Sequence, residues 1–174
     1  MLNSHIIYII GFMGSGKTTA GKKIASLLGW SFIDLDKRIE EHTGKSIPEL
    51  FSYHGEEYFR SVESEVLKEL ESQADTVIST GGGTPCFCDN MDFMLETGLT
   101  LYLKLTPEQL KSRLEQEGGG RPLLKDIDNN NLQSFIEDKL ALREKYYSRA
   151  EIVVNGFDMD YNKLYSFIKK NLNI

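Results

Sequence analysis

The sequence predicts an α/β protein with a mostly parallel sheet, and two observations carry that prediction. Short apolar runs of strand length alternate with helical segments, the order produced by parallel strands joined by crossover helices. The length of 174 residues, without an internal repeat or linker, predicts one domain over 1–174. Hydrophobic residues make up 40% of the chain and charged residues 26%, a balance that supplies a buried core.

The first half of the chain predicts strands at 6–10, 32–36 and 76–79, and helices at 17–28 and, in pieces, 39–70. The first strand is apolar and mostly β-branched and ends at Gly11, as expected of a strand buried on both faces. Gly29 ends the first helix, and Gly44 and Gly55 interrupt the longer helical stretch. The second strand carries carboxylates at its end.

The second half predicts strands at 99–105 and 151–154 and helices at 107–117, 132–147 and 161–172. Thr106, Pro107 and Gln109 form a helix start, with a cap residue, a proline at the first position and a side chain able to close a capping box. Between two of these helices, 117–131 is rich in Gly and Asn and has little periodicity. A surface insertion would explain it, but Arg121 beside the glycines favours a lid that closes over a ligand.

Composition excludes several classes of protein. A net charge of −6 argues against a nucleic-acid-binding chain, since such chains are usually basic. Cys86 and Cys88 are too few for a disulfide framework and indicate reduced thiols. The apolar run at 6–10 is too short to span a bilayer and lacks the basic leader of a signal peptide, so we expect a cytoplasmic protein without membrane contact. The sequence has no heptad pattern or obvious apolar patch, and a monomer is expected.

The strongest motif lies between the first predicted strand and the first predicted helix. Residues 11–18 match the phosphate-binding pattern G-x-x-x-x-G-K-[ST] at every fixed position. Glycines let backbone N–H groups point inward at phosphate oxygens, and the helix that opens at Lys17 adds the positive end of its dipole. Lys17 supplies a charge for the β- and γ-phosphates, and the Thr18 hydroxyl is a hard ligand for Mg²⁺. A chance glycine-rich turn would lack this strand-to-helix context, so the motif predicts a nucleotide site.

Two further features follow predicted strands, at the sheet edge where open α/β sheets bind ligands. One of Asp34 and Asp36 would hold Mg²⁺ and the other would accept a proton from an attacking hydroxyl, although an isolated Asp-x-Asp is also typical of a helix cap. The glycines at 81–83 indicate either close approach of backbone to a ligand or a sharp turn. Arg60 alone is most simply a solvated charge. Without an N-K-x-D guanine motif, the chain is predicted to be a compact phosphotransferase for a small acceptor.

Taken in order, these segments resemble one family. The series G-F-M-G-S-G-K-T-T, F-I-D-L-D, Y-F-R-S-V-E, S-T-G-G-G, G-R-P-L-L and L-R-E-K-Y-Y is similar to shikimate kinase over nearly the whole chain. The resemblance implies a P-loop kinase of the nucleoside-monophosphate-kinase type, with a five-stranded parallel sheet in the order 2-3-1-4-5, flanking helices and a mobile lid. It also implies transfer of the γ-phosphate of ATP to the 3-hydroxyl of shikimate, with Mg²⁺, on the path to chorismate and the aromatic amino acids.

On the nucleotide side, the resemblance assigns tasks to the P-loop and the lid. The residues that would hold the phosphates are Gly14, Ser15, Gly16, Lys17, Thr18 and Thr19. Thr18 and Asp34 would lie on the Mg²⁺ side. Arg121, in a lid at about 115–130, would close over the phosphates and neutralise charge that builds during transfer. Together with Lys17 and Asp36 it forms the predicted catalytic set.

On the acceptor side, the resemblance implies a shikimate-binding segment at about 34–62. Asp36 would bind the shikimate hydroxyls and orient or deprotonate the attacking one. Arg60 and Arg143 would bind the carboxylate as guanidinium forks, and Glu63 would hold Arg60 in place. Backbone would come from Gly82 and its neighbours Gly81 and Gly83.

Other interpretations stay open at this point. A small-acid kinase such as a gluconate kinase would share the P-loop and the fold, although the paired arginines and the glycine triplet favour a carboxylated ring acceptor. An inactive nucleotide sensor would be expected to lack Asp36, Lys17 or Arg121, and all three are present. After the last predicted strand the chain lacks the proline that family members often place near the adenine, and Arg113 is a candidate adenine contact on the other side.

Overall fold

The computed structural model describes residues 5–116 and 129–174. Within them one parallel sheet is built from β1 (Ile6–Ile10), β2 (Ser31–Asp34), β3 (Thr76–Ser79), β4 (Leu99–Lys104) and β5 (Ile152–Asn155). The strand order is β2-β3-β1-β4-β5, which confirms the predicted topology. Because β1 is central, the loop that follows it leaves the middle of the sheet's carboxyl edge.

Helices cover both faces of the sheet. They are α1 (Lys17–Leu28), α2 (Leu35–Thr43), α3 (Ile47–Glu69), α4 (Asn90–Thr97), α5 (Pro107–Gln116), α6 (Asn129–Tyr147) and α7 (Tyr161–Leu172). Alternation along β1 explains the two cores, since successive side chains of a strand point to opposite faces. Tyr8 and Ile10 pack with residues of α2 to α6, whereas Ile7 and Ile9 pack with residues of α1 and α7.

Local signals place several elements where they were predicted. The bounds of β1, α1, β3 and α7 agree with the predicted ones. The capping box of α5 is present: the Thr106 backbone N–H donates to Gln109 Oε1 at 2.9 Å, and the Gln109 N–H donates to Thr106 Oγ1 at 3.3 Å. Gly44 ends α2 with φ +66°, and Gly55 kinks α3 with φ +82° without ending it.

Two predictions of element limits are wrong, and one helix was not predicted. β2 ends at Asp34, whose side chain caps α2, so Asp36 lies in the first helical turn instead of on the strand. The short helix α4 was not predicted, because it spans only eight residues, too few for a clear helical period. Residues 129–131, predicted as loop, open α6.

The predicted lid, including Arg121, lies mostly outside the described residues. In 5–116 and 129–174, no helix combines the length and apolar character needed to cross a membrane.

Candidate active site

The P-loop connects β1 to α1 and lines a cavity of about 280 Å³ at the carboxyl edge of the sheet. Lys17 is only 8% exposed, and its ammonium group donates to the carbonyl oxygens of Gly11 and Phe12, both at 2.9 Å. These contacts fold the side chain back across the loop, and Lys17 lines the cavity. Of the cofactor-binding residues predicted from the sequence, Gly14, Gly16, Lys17, Thr18 and Thr19 line this cavity. Ser15 is buried and does not line it.

Hard oxygen ligands meet beside the same cavity. The Thr18 hydroxyl donates to Asp34 Oδ2 at 2.9 Å and lies 3.4 Å from Ser79 Oγ. The other carboxylate oxygen of Asp34 accepts the backbone N–H of Lys37 at 3.4 Å, which holds it at the start of α2. A hydroxyl next to a carboxylate is a donor set that suits Mg²⁺, and Mg²⁺ keeps part of its hydration shell in such sites. Thr18 and Asp34 therefore fit the predicted metal side of the nucleotide.

A second cavity, of about 310 Å³, adjoins the first. The two share Asp36, Gly81 and Gly82, so the Asp36 carboxylate lies at the junction between them. The second cavity combines apolar walls with four charged groups, and the apolar residues are Met13, Ile47, Phe51 and Phe59. A ring with polar substituents fits this combination of surfaces.

Arg60 lies in this second cavity and is 7% exposed, so it is not a solvated surface charge. Its Nη1 donates to Glu63 Oε2 at 2.8 Å, and its Nε and Nη2 donate to Glu56 Oε1 at 3.3 and 3.1 Å. Glu63 is fully buried, and its other oxygen accepts the Thr84 hydroxyl at 2.7 Å. The geometry thus supports the predicted task of Glu63, and Thr84 adds a restraint that the sequence did not reveal.

Arg143 approaches the same cavity from α6. Its Nη1 is buried without a hydrogen-bond partner among the described residues, an expensive arrangement for a charged donor unless a ligand pairs with it. Next to it, the Tyr147 hydroxyl donates to the Gly82 carbonyl oxygen at 2.5 Å. Burial raises the pKa of Tyr147, which keeps this hydroxyl a donor. Tyr147 was not predicted as a site residue, although it belongs to the L-R-E-K-Y-Y segment.

The glycine triplet allows charged groups to approach the backbone. A Cβ on Gly83 would lie 2.5 Å from Arg60 Nη2, and one on Gly81 would lie 3.1 Å from both Asp36 Oδ1 and Glu63 Oε1. Of the two alternatives left open by the sequence, the turn is present, because the Thr84 N–H donates to the Gly81 carbonyl oxygen at 3.2 Å and a short 3-10 helix, Thr84–Cys86, follows. Close approach of this backbone to a ligand stays a prediction.

Arg113 joins the P-loop to the segment after β5. Its Nη1 donates to the Ser15 carbonyl oxygen and its Nη2 to the Gly156 carbonyl oxygen, each at 2.9 Å. Phe157 lies 5.9 Å from its guanidinium carbon and is more than half exposed. An arginine and an aromatic ring thus flank the surface next to the P-loop.

A phosphate loop on one cavity and two inward-facing arginines on the adjoining one define a class of protein. The chain is a P-loop phosphotransferase, with room for a small acceptor beside the nucleotide.

Comparisons with known proteins identify the family. The family model described as shikimate kinase matches residues 13–170. The chain is 44% identical to a shikimate kinase of Parabacteroides distasonis over 153 residues, 88% of each chain. It is also similar to two solved structures. The shikimate kinase of Bacteroides thetaiotaomicron has a TM-score of 0.89 at 38% identity, covering 98% of this chain and 99% of that one. The shikimate kinase of Acinetobacter baumannii in complex with shikimate has a TM-score of 0.86 at 33% identity, covering 99% and 95%.

The chain belongs to the shikimate kinase family. Its reaction is the ATP-dependent phosphorylation of shikimate, with Mg²⁺ as the usual metal, in aromatic amino-acid biosynthesis. The fold, the family and the activity predicted from the sequence are therefore confirmed.

Proposed function

We propose that Asp36 is the residue at which the two substrates meet. Asp36 would accept the proton of the shikimate 3-hydroxyl or hold that hydroxyl in line. The hydroxyl oxygen bonds to the γ-phosphorus of ATP while the bond from that phosphorus to the β–γ bridging oxygen breaks. The products are shikimate 3-phosphate and ADP. The position of Asp36 at the junction of the two cavities is the observation that carries the proposal.

The carboxylate of shikimate would bind between Arg60 and Arg143. Both guanidinium groups line the acceptor cavity. The buried Nη1 of Arg143, which has no hydrogen-bond partner within 5–116 and 129–174, lies close to Gly82. A guanidinium fork matches a carboxylate in a two-point contact, and burial strengthens it by excluding water. Gly81, Gly82 and Gly83 would add backbone on the same side, and Glu63 would keep Arg60 in position.

On the nucleotide side, Lys17 and the amides of residues 14–19 would hold the phosphates. Thr18 and Asp34 would hold Mg²⁺, which supplies charge neutralisation of the phosphate oxygens when bound. The hydrogen bonds of Arg113 and the exposed Phe157 support an adenine position between them. Arg121, the lid at 115–130, the shikimate-binding segment at 34–62, the monomeric state and the cytoplasmic location stay predictions from the sequence.

Asp36→Asn tests the central role. The amide keeps the shape of the side chain but cannot take the proton, so we expect kcat to fall by about 10²- to 10⁴-fold with little change in ATP affinity. The measurement is shikimate-dependent ADP release, together with a titration of ATP binding. Glu41→Gln on the same helix, where Glu41 is exposed and pairs only weakly with Arg38, is the matched control. Unchanged turnover in Asp36→Asn contradicts the proposal.

The same assay separates the alternative acceptors. ADP release is measured with shikimate, gluconate and a nucleoside monophosphate, each beside a reaction without acceptor. We expect strong stimulation by shikimate alone. Stimulation by gluconate instead indicates a sibling kinase, and ATP binding without any acceptor-dependent release indicates a nucleotide sensor.

A further inference from the structure

We infer that Phe87 is a positioning residue for this reaction: its ring fixes the plane of the Arg60 guanidinium that meets the acceptor's carboxylate. The inference rests on the proposed contact between Arg60 and that carboxylate. Phe87 lies in the turn between the glycine triplet and α4 and does not line the acceptor cavity itself. It is 37% exposed, so burial of apolar surface alone does not explain its place.

The ring of Phe87 lies against the guanidinium at short range. Arg60 Cζ is 4.2 Å from the ring centroid, and the other cation–π contacts among the described residues are 5.0 Å or longer. A cation over an aromatic face is attracted by the negative face of the ring, and a planar guanidinium also stacks on it. The backbone of Gly83 contacts the same group so closely that a Cβ would overlap it. The guanidinium therefore lies against the Phe87 ring and Gly83, while the Phe59 ring is farther away, at 5.1 Å.

The contacts to carboxylates leave one motion of this group unrestrained. Glu63 and Glu56 accept hydrogen bonds along the edges of the guanidinium, which fixes its rotation within its own plane. Tilting out of that plane bends these bonds but does not break them at once. A two-point contact with a substrate carboxylate requires the two groups to be nearly coplanar. The Phe87 ring, whose centroid lies 4.2 Å from Arg60 Cζ, supplies the missing restraint.

The segment that carries Phe87 is built around Arg60. Cys88 and Asp89 both have positive φ, +51° and +56°, which is uncommon for residues other than glycine and persists only where the surroundings enforce it. Cys88 Sγ lies 3.7 Å from the Arg60 carbonyl oxygen, and the Thr84 hydroxyl donates to Glu63. The buried Asn90 side chain donates to the Thr84 carbonyl oxygen at 3.0 Å. These contacts hold the turn against Arg60 and its partner Glu63.

Kinetics of two Phe87 variants test the inference. Phe87→Leu keeps an apolar side chain but removes the aromatic face, and Phe87→Tyr keeps the ring. For Phe87→Leu we expect the KM for shikimate to rise about 3- to 10-fold, with the KM for ATP and kcat within about twofold of the parent. Phe87→Tyr should retain the parent's KM. Phe167→Leu, which removes a half-exposed ring on α7, is the matched control.

A second acceptor distinguishes positioning from a structural role. The carboxamide of shikimate cannot form a charged two-point contact, so Phe87→Leu should cost it little. Phe87→Met, whose flexible side chain fills the same space, serves if Phe87→Leu lowers the Tm. An unchanged KM for shikimate in both Phe87→Leu and Phe87→Met overturns the inference. The inference is also overturned if Phe87→Leu raises the KM equally for shikimate and for its carboxamide, or equally for shikimate and for ATP.

Arg60→Ala separates this inference from the proposed function. If Arg60 binds the carboxylate, Arg60→Ala weakens shikimate far more than the carboxamide. If Arg60→Ala weakens both equally, the proposed carboxylate contact is wrong and the inference falls with it. If Arg60→Ala behaves as expected while Phe87→Leu and Phe87→Met leave the KM for shikimate unchanged, only the role of Phe87 is lost.

Discussion

At the scale of single residues, the two arginines of the acceptor cavity differ in how far carboxylates pair with them. Arg60 is paired twice, with Glu56 and with the buried Glu63, whereas the buried Nη1 of Arg143 has no hydrogen-bond partner among the described residues. A buried unpaired donor is costly, and a bound anion would relieve that cost. Arg143 is therefore the group whose contribution to anion binding should be larger.

Replacement of this arginine measures that contribution. Arg143→Lys keeps the charge but loses the planar fork, so we expect the KM for shikimate to rise about 10- to 100-fold, the usual range for a lost charge-assisted hydrogen bond. The KM for ATP should change far less. Steady-state kinetics with each substrate varied checks this. Arg149→Lys, just after α6 and paired with Asp92 at the surface, is the control; equal effects of the two variants contradict the role of Arg143.

At the scale of secondary-structure elements, the kink in α3 shapes the acceptor cavity. Before the kink, Ile47 and Phe51 form part of the cavity wall, and after it come Phe59, Arg60 and Glu63. A straight helix would present residues along one line, so a bend helps two stretches of one helix face the same cavity. The bend is possible because Gly55 has φ +82° and ψ 173°, a region that is essentially restricted to glycine.

Substitution of Gly55, inside α3, and of Gly44, which ends α2, tests the kink. Gly55→Asn should lower the free energy of unfolding by about 1–3 kcal/mol and raise the KM for shikimate, because asparagine does not adopt this conformation. Gly44→Asn is the matched control: Gly44 has φ +66° and ψ 17°, which asparagine tolerates, and its effect should stay within about 1 kcal/mol. Urea unfolding of both variants gives the comparison. Equal effects at the two positions contradict the explanation.

At the scale of the whole molecule, the sheet brings both substrates to one edge. β1 and its P-loop lie in the middle, β2 carries Asp34 to the start of α2, and β3 leads into the glycine triplet. Behind the triplet, α6 packs against the same core and carries Arg143 and Tyr147. The same packing buries ionisable groups, among them Cys86, Tyr102 and Tyr147, and burial changes the pH at which they lose their protons.

Stability should accordingly fall at alkaline pH. Burial raises the pKa of Cys86 from 9.0 to about 11, although Arg143 and Arg60 lower it in part, and burial also raises the pKa values of Tyr102 and Tyr147. These groups keep their protons in the folded chain at a pH where the unfolded chain has lost them. Between about pH 9 and pH 11 the unfolded state therefore binds fewer protons, and the free energy of unfolding decreases as the pH rises.

Urea unfolding across this range checks the direction. Tyr147→Phe removes one of the shifted groups, so its stability should decline less steeply above about pH 9, even if it is lower near neutral pH. Tyr53→Phe, at a tyrosine that is 72% exposed, should leave the slope unchanged. A stability that is flat or rises through this range contradicts the prediction.

The sequence allowed most of the fold to be predicted, because the signals involved are local. The capping box at Thr106, the glycines at 29 and 44 and the alternation in β1 act on near neighbours in the chain. The P-loop was recognised for the same reason. The limits of β2 were not predicted, because Asp34 serves both as strand end and as cap. The helix α4 was not predicted, because its eight residues are too few to show a clear helical period.

By itself the sequence thus determined the order of the strands and of every helix but α4 within the described residues, together with the phosphate loop and the resemblance that named the acceptor. Only the tertiary structure decided which charged groups are buried and which of them face one another. Arg60, Thr84 and Arg143 lie far apart in the chain, and their meeting depends on how α3, the turn after β3 and α6 pack on one sheet. The position of Phe87 on Arg60 is of this kind. The physical reason is that the desolvation and pairing of charges depend on three-dimensional packing, which local patterns in the sequence do not specify.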